Sequence, residues 1–123
     1  MEWKYDDSLP IYTQLVGQIK TAIVSGELQP GGKLPAVREL AIEAGVNPNT
    51  MQRAFQELER SGLVYTVRGS GRYVTDDVCA IDSERGKLAE EAINDFLENM
   101  QRLGYSAEQA AQAIAEQVKE EDI

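Results

Sequence analysis

The side chains with the clearest chemistry stand in one polar run, Asn47-Pro48-Asn49-Thr50, with Gln52 and Arg53 directly after it. Side-chain amides pair with adenine edges, and threonine contacts either a phosphate or the methyl group of thymine. The start of a helix would add a partial positive charge and unpaired N–H groups, which suit a phosphate. Such residues are also ordinary solvated positions of a helix. The turn before this run and the glycine-flanked hairpin after it favour contact with DNA.

Two further segments carry arginines with the same kind of chemistry. Arg38 lies near the start of a predicted helix, where the dipole disfavours a cation, and a phosphate or guanine contact would offset this. The alternative is a salt bridge or a surface arginine. In the run 68–72, RGSGR, two guanidiniums flank a tip whose backbone N–H groups can reach phosphate or the minor groove. Glycines there also simply permit a tight hairpin. The residues themselves therefore indicate these DNA contacts: Arg38, Asn49, Thr50, Gln52, Arg53, Gln56, Arg68, Gly69, Ser70, Gly71 and Arg72.

The composition excludes most enzyme chemistry. Histidine is absent, which removes Ser-His and Cys-His catalysis and every zinc site that needs histidine. Cys79 is the only cysteine, so an intrachain disulfide is impossible. We interpret it as an incidental thiol, with a redox role as the alternative. The carboxylates lack calcium-loop spacing, and residues 69–71 match neither a nucleophile elbow nor a Walker loop. We expect no enzyme activity, no cofactor and no metal.

The charge is unevenly distributed along the chain, which has a net charge of −9. Residues 1–75 hold eight basic and eight acidic side chains, whereas residues 76–123 hold four basic and thirteen acidic ones. This asymmetry should orient the protein with its acidic end away from phosphates. No apolar run approaches the ~18 residues of a membrane span, and no secretion signal is visible. A cytoplasmic location is expected.

Residues 1–76 are predicted to form a winged helix-turn-helix. Apolar residues recur every three or four positions in three segments, which predicts helices that end at Gly26, Gly45 and Gly62. The third helix should begin with Asn47 as its N-cap and Pro48 in the first position. Residues 63–67 and 72–75 then read as two strands of a hairpin, the wing.

The start of the chain is less sharply patterned. Trp3 and Tyr5 alternate with polar residues, which predicts a short strand or an arm. Asp7 or Ser8 is expected to cap the first helix, with Pro10 in its first turn.

Residues 77–83 are predicted to be a linker, and residues 84–123 a helical hairpin. The first hairpin helix, about 84–103, has apolar residues at alternating spacings of four and three, like a coiled-coil seam. Ser106 and Gln109 should form a capping box for the second helix. Forty residues are too few to bury such stripes alone, so we expect two hairpins to pair in a dimer. The expected interface residues are Leu88, Ala92, Ile93, Phe96, Met100, Leu103, Ile114 and Val118. The Phe96–Met100 stripe could instead line a ligand pocket.

Four segments together resemble the bacterial GntR transcription regulators. They are PIYTQL from Pro10, GELQPGGKLPAVRELA from Gly26, NPNTMQRAFQELERSG from Asn47 and RGSGRYV from Arg68. The resemblance covers residues 10–75 nearly without gaps. The NPNT run and the short two-helix C-terminal part resemble the YtrA subfamily.

The resemblance implies a mainly α fold with a small β-wing: an N-terminal winged helix-turn-helix and a C-terminal two-helix dimerisation hairpin. It also implies a homodimeric regulator, usually a repressor, that binds an inverted-repeat operator and is often linked to ABC-transporter genes. Carried over by position, the family's DNA contacts fall on Arg38, Pro48, Asn49, Thr50, Gln52, Arg68 and Gly69.

The chain departs from the family pattern at three places. Ala36 replaces the serine that many relatives use to cap the second helix, a loss of ~1 kcal/mol. Arg72 adds a charge after the wing glycine. Pro48 and Gln52 stand where some other subfamilies have arginine, so we expect guanine readout by this helix to differ.

The hairpin leaves no room for a large effector domain, so any small-molecule effector would sit at the dimer interface or between the domains. Two other function classes compete with a DNA-binding regulator. One is a winged-helix module that binds another protein through its acidic end. The other is the head of an aminotransferase fusion, for which the chain has no space.

Overall fold

The computed structural model describes residues 1–121 and confirms the predicted fold class. The described residues form five helices and a two-stranded antiparallel sheet. In chain order the elements are α1 (Ile11–Val24), α2 (Val37–Ala44), α3 (Pro48–Arg60), β1 (Val64–Val67), β2 (Gly71–Val74), α4 (Val78–Arg102) and α5 (Ala107–Glu121). The chain divides into two compact units, Met1–Arg85 and Gly86–Ile123, here called the head and the hairpin. No helix in residues 1–121 is long and apolar enough to cross a membrane.

The head has a closed apolar core built around α3, which packs against α1, α2 and β1. Its buried residues in α3 repeat at i, i+3, i+4 and i+7, so one face of the helix turns inward. The largest fully buried side chains are Phe55, Leu15, Ile19, Ile23, Met51, Leu58, Leu63 and Val74. This core fixes the position of the opposite, solvent-facing side of α3.

The turn between α2 and α3 forms as the sequence predicts. Gly45 ends α2 in the left-handed conformation, with φ 72° and ψ 33°, where a Cβ would be strained. The backbone N–H of Val46 then donates to the carbonyl of Ala41 at 3.0 Å. Asn47 caps α3, because its side chain accepts from the N–H of Asn49 at 2.8 Å. Pro48 occupies the first turn, as predicted.

The start of α1 differs from the prediction. Pro10 itself is the N-cap residue and makes no side-chain cap hydrogen bond, so the expected cap by Asp7 or Ser8 is wrong. Ser8 is instead held in a local turn, where its N–H and hydroxyl both donate to the carboxylate of Asp6. The proline ring fixes φ at this position, here −59°.

Residues 1–9 form an arm rather than a strand. The indole N–H of Trp3 donates to Glu43 at 3.3 Å, and the hydroxyl of Tyr5 donates to the carbonyl of Ala44 at 2.8 Å. Both acceptors lie in the last turn of α2. The arm therefore covers the C-terminal end of that helix, which its side chains reach without any sheet pairing.

The wing is a hairpin with an added backbone rung. Thr66 pairs with Arg72, and Val67 with Gly71. The stretch before α2, predicted only as a turn, also joins the wing: the N–H of Leu34 donates to the carbonyl of Arg72 at 2.8 Å, and that of Val74 to the carbonyl of Gly32 at 2.9 Å. The wing is thereby tied to the entry of α2.

The predicted linker is helical, because α4 begins at Val78. The carboxylate of Asp77 accepts from the N–H of Ala80 at 3.2 Å, the position of an N-cap contact. Ile81 is buried in the head. Burial of this apolar side chain and an acidic cap together explain why residues 78–83 are ordered as helix.

The first turns of α4 are also bound to α1 by polar contacts. Lys20 pairs with Glu84 at 3.0 Å, and the guanidinium of Arg85 donates to the carbonyl of Val24 at 2.6 and 3.1 Å. These contacts place the boundary of the head after residue 85, not at residue 76.

The hairpin contains the predicted capping box. The N–H of Gln109 donates to the hydroxyl of Ser106 at 3.1 Å, and the N–H of Ser106 donates to the side chain of Gln109 at 2.8 Å. Among residues 86–121, Ala110 alone is buried. The apolar stripes of this unit therefore remain open.

Candidate nucleic-acid interface

The outward face of α3 is a polar stripe. Asn49, Gln52, Arg53 and Gln56 follow the same i, i+3, i+4, i+7 spacing as the buried stripe, on the opposite side of the helix. Pro48, Asn49 and Arg53 are exposed, and Thr50 and Gln52 are half-buried. The side chains that could read base edges are therefore held on a helix whose other face is locked in the core.

The backbone at the start of α3 does not match the expectation of free N–H groups. Pro48 has none, the N–H of Asn49 donates to the cap, and the N–H of Thr50 donates to the carbonyl of Asn47 at 3.0 Å. The N–H groups at the start of α3 are therefore already paired, contrary to the expectation, because the capping that makes the helix start sharply also uses its donors. Only side chains remain for ligand contact.

The start of α2 shows the reverse arrangement. Ala36 offers no side-chain cap. Within residues 1–121, no protein group accepts from the N–H groups of Val37, Arg38 or Glu39. The carboxylate nearest in sequence, Glu39, makes no ion pair with Arg38, which is exposed. Three free donors and one free guanidinium thus stand at a helix N-terminus, which suits an anion.

A cleft lies between this helix start and the wing. Its lining includes Val37 and Glu39 from α2, Thr66 and Ser70 from the wing, and Lys33 from the segment that leads into α2. Lys33 did not stand out in the sequence. It becomes part of the site only because residues 32–34 pair with β2.

The tip of the wing is a tight turn with exposed donors. The N–H of Ser70 donates to the carbonyl of Val67 at 3.0 Å, which closes a four-residue turn. Gly69, third in that turn, has φ 80°, a value that a type II turn requires there and that glycine adopts without strain. Arg68, Gly69 and Ser70 are exposed. Among the described residues, no carboxylate pairs with Arg68.

Arg72 differs from the other candidate arginines. Its Nε donates to the carboxylate of Glu59 at 2.7 Å, and its guanidinium lies 5.5 Å from the ring centroid of Phe55. Its side chain is only 23% exposed. The structure therefore turns Arg72 toward α3, whereas Arg68 faces solvent.

Arg53 is oriented by a tyrosine of α1. Its guanidinium stacks over the ring of Tyr12 at 4.6 Å from the centroid, a cation–π contact. Its charge is not neutralised by any carboxylate in the described part of the chain.

Residues 1–121 contain no group of three Cys, Asp or Glu side chains placed to hold a metal ion. Cys79 is exposed at the start of α4.

Comparison with known proteins agrees with this geometry. Residues 11–74 match the bacterial regulatory proteins of the gntR family. The HTH-type transcriptional regulator YhcF of Bacillus subtilis (strain 168) is 41% identical over 93% of this chain and 94% of its own length. The chain belongs to the GntR family. The HTH-type transcriptional repressor YtrA of the same organism is 47% identical over 57% of this chain and 54% of its own length, in accord with the YtrA-type resemblance.

Solved GntR structures share the fold. A GntR family transcriptional regulator from Listeria monocytogenes is 42% identical, with a TM-score of 0.82, over 91% of this chain and 98% of its own. The DNA-binding domain of AraR, solved in complex with the operator ORR3, is 32% identical, with a TM-score of 0.53, over 61% of this chain and 90% of its own. The protein is a GntR-type transcriptional regulator with a winged-helix DNA-binding domain.

Proposed function

We propose that this GntR protein is a repressor that binds an inverted-repeat operator as a homodimer. The observation that carries the proposal is the outward stripe of α3, in which amide and guanidinium side chains project from a helix anchored by a closed core. A recognition helix in the major groove needs this combination of rigid support and free hydrogen-bonding groups.

In this proposal Asn49, Thr50 and Gln52 meet base edges, with Pro48 packed beside them. Asparagine and glutamine amides match the donor and acceptor pair of adenine, so A·T pairs are the expected preference under α3. Arg53, held over Tyr12, reaches the phosphates next to that groove.

The phosphates on the other side are assigned to α2 and the wing. The start of α2, with its free N–H groups, lines a cleft that the wing completes, and Arg38 is exposed in the same helix turn. The exposed tip formed by Arg68, Gly69 and Ser70, together with the half-buried Gly71, supplies a further cation and small residues that permit close approach. Arg72 is left out of the direct contacts, because it is paired with Glu59.

The homodimer is assigned to the hairpin. Ile93, Leu103 and Val118 are 58%, 72% and 51% exposed, an unusual state for large apolar side chains. Two apolar grooves flank Phe96 and Ile114, which line both of them. A second copy offers the same apolar surface, and twofold pairing of hairpins would cover it. The interface residues in this proposal are Leu88, Ala92, Ile93, Phe96, Met100, Leu103, Ile114 and Val118.

Several finer features follow from the family rather than from the geometry. We expect repression, a cytoplasmic location because the target is DNA, no enzyme activity, and ABC-transporter genes among the targets of a YtrA-like regulator. If a small-molecule effector exists, the apolar grooves of the hairpin are its expected site.

The DNA contacts are tested by binding assays on a duplex selected from a random-sequence pool by the wild-type protein. Asn49→Ala should weaken binding by about 10-fold or more and relax the base preference, since a good bidentate contact contributes ~1–3 kcal/mol. Arg68→Gln should weaken binding to all sequences and reduce the salt slope by about 0.9. The matched control is Gln112→Ala, an exposed amide in the hairpin.

A chain that selects no duplex, or whose binding ignores both substitutions, would reject the proposed interface. Unchanged binding by Asn49→Ala alone would move base readout to other residues of α3. If no duplex is selected, a winged-helix module for protein partners becomes the better reading.

A further inference from the structure

A single carboxylate at the end of α3 meets both strands of the wing. The Oε1 atom of Glu59 accepts from the hydroxyl of Thr66 at 2.5 Å and from the Nε of Arg72 at 2.7 Å. Thr66 and Arg72 are register partners across β1 and β2. Glu59 therefore holds one complete rung of the hairpin, the rung next to the Val67–Gly71 pair at the wing tip.

Besides its ion pair with Glu59, Arg72 makes two further contacts that fix its position. Its guanidinium lies against the face of Phe55, which is fully buried in the core, and its backbone carbonyl accepts from the N–H of Leu34. The cation is neutralised by Glu59 and only partly exposed. A side chain in this arrangement orders the wing, and it has little charge left for a phosphate.

Glu59 remains ionised under ordinary conditions. The hydrogen bonds from Thr66 and then Arg72 lower the pKa of its carboxyl below the usual glutamate value. The rung is therefore complete at neutral pH, where the protein would bind DNA.

We propose that Glu59 is a positioning residue for DNA binding, which fixes the wing on α3 through Arg72 and Thr66 without touching the nucleic acid. This inference rests on the proposed function, because it requires the wing tip to contact DNA. It predicts that removal of this negative charge lowers DNA affinity, which is the opposite of the usual effect. Removal of a negative charge near DNA normally strengthens binding by relieving repulsion, whereas loss of a positioning carboxylate weakens it.

The experiment measures binding of the full chain to the selected duplex over a range of salt concentrations. Glu59→Gln should weaken binding about 3–10-fold with no change in salt slope, because no phosphate contact is lost, only its placement. Arg72→Gln should give the same loss and the same unchanged slope. The double variant should bind no worse than either single variant, since both act through one rung.

A second readout follows the wing itself. Amide hydrogen exchange at residues 67–71 should become faster in Glu59→Gln, while exchange in α1 and α3 stays as in the wild type. A merely destabilised head would instead show faster exchange throughout.

The matched control is Glu57→Gln, on the same helix two residues earlier. Glu57 pairs with Arg60 at 2.5 Å and has no hydrogen bond to the wing in the described chain. The same charge is removed, so binding should equal that of the wild type or be slightly tighter. Thr66→Val removes half of the rung at an exposed position and should weaken binding about 2–3-fold. The Thr66→Val variant replaces Glu59→Gln in this test if Glu59→Gln does not fold.

Two results would overturn the inference. One is binding by Glu59→Gln, or by Thr66→Val, as tight as that of Glu57→Gln. The other is a fall of about 0.9 in the salt slope of Arg72→Gln, which would make Arg72 a phosphate contact. If Asn49→Ala and Arg68→Gln also leave binding unchanged, the proposed interface itself fails. If those two variants lose affinity while Glu59→Gln does not, only the positioning role fails.

Discussion

The head and the hairpin have the same amphipathic patterning of their helices, but within residues 1–121 only the head buries its apolar residues in a closed core. All buried apolar residues of the described chain lie in the head, except Ala110. Three helices and the wing enclose that core, and the first turns of α4 add the buried Ile81 to it. The two helices of the hairpin can cover only one side of each other. An apolar stripe is therefore enough to form an amphipathic helix, but a closed apolar core needs more than two such helices.

The two phenylalanines of the chain represent this difference. Phe55 is fully buried at the centre of the head, whereas Phe96 lies between two open grooves of the hairpin. Substitutions of Phe55 and Phe96 can therefore separate the folding stability of the head from the proposed association of two hairpins.

The largest effect is expected for Phe55→Ala. Removal of a buried aromatic ring leaves a cavity and costs about 3–5 kcal/mol of unfolding free energy, enough to unfold many small domains. Urea denaturation followed by circular dichroism should show this loss at every protein concentration. A loss below about 1 kcal/mol would mean that the core around α3 is not the main support of the head.

Phe96→Glu should act through association instead. A charge in the proposed interface is expected to weaken dimerisation about 100-fold, the scale of an interface hot spot. Sedimentation equilibrium over a range of concentrations measures this. The urea transition of the head in the monomeric variant should stay unchanged. A dimer as tight as the wild type would remove the hairpin from the interface, and the control Glu98→Gln, at an exposed position of α4, should remain dimeric.

Within the head, the two helices of the helix-turn-helix differ in their caps. Ala36→Ser should add a cap to α2 and raise the unfolding free energy by about 1 kcal/mol. Thermal denaturation checks this. The same hydroxyl would occupy an N–H group assigned to a phosphate, so DNA affinity should not rise with stability. A parallel gain in both would argue that these N–H groups do not contact DNA.

The smallest expected effect is a loss of wing stability at acidic pH. The folded-state pKa of Glu59 lies below its ordinary value of 4.5, first through the hydrogen bond from Thr66 and then through that from Arg72. Its stabilising contribution is thus complete above pH 4.5 and is lost as the pH falls through the lower folded-state pKa. Amide chemical shifts of residues 66–72 should titrate in this range. Glu59→Gln should abolish that titration, and a wing that titrates identically in this variant would exclude Glu59 as the cause.

The helix-turn-helix could be read from the sequence because its signals are local. Asn47 and Pro48 mark the start of α3, and Gly45 marks the end of α2. The spacing of Met51, Phe55 and Leu58 indicates the buried face of α3. The capping box at Ser106 is equally local. Each of these features depends on residues within one turn of one another, and the structure confirms all of them.

Most of the errors concern contacts between distant segments. Residues 77–83 are predicted to be a linker, but the chain is helical from Val78 because Ile81 is buried in the head and Asp77 caps the helix. Free N–H groups were expected at α3 and occur at α2 instead, because the cap that predicts a helix start also satisfies it. Arg68 and Arg72 look equivalent in the run RGSGR. Only packing against Phe55 and Glu59 separates them.

The sequence by itself determined the three helices around the helix-turn-helix, where α3 begins, and which of its side chains face outward, since these follow from spacing and capping within a few residues. Tertiary structure alone decided which arginine is free and where the head ends. Those properties depend on partners such as Glu59 and Arg72, thirteen residues apart and on different elements, and a carboxylate can neutralise only the cation that folding brings to it.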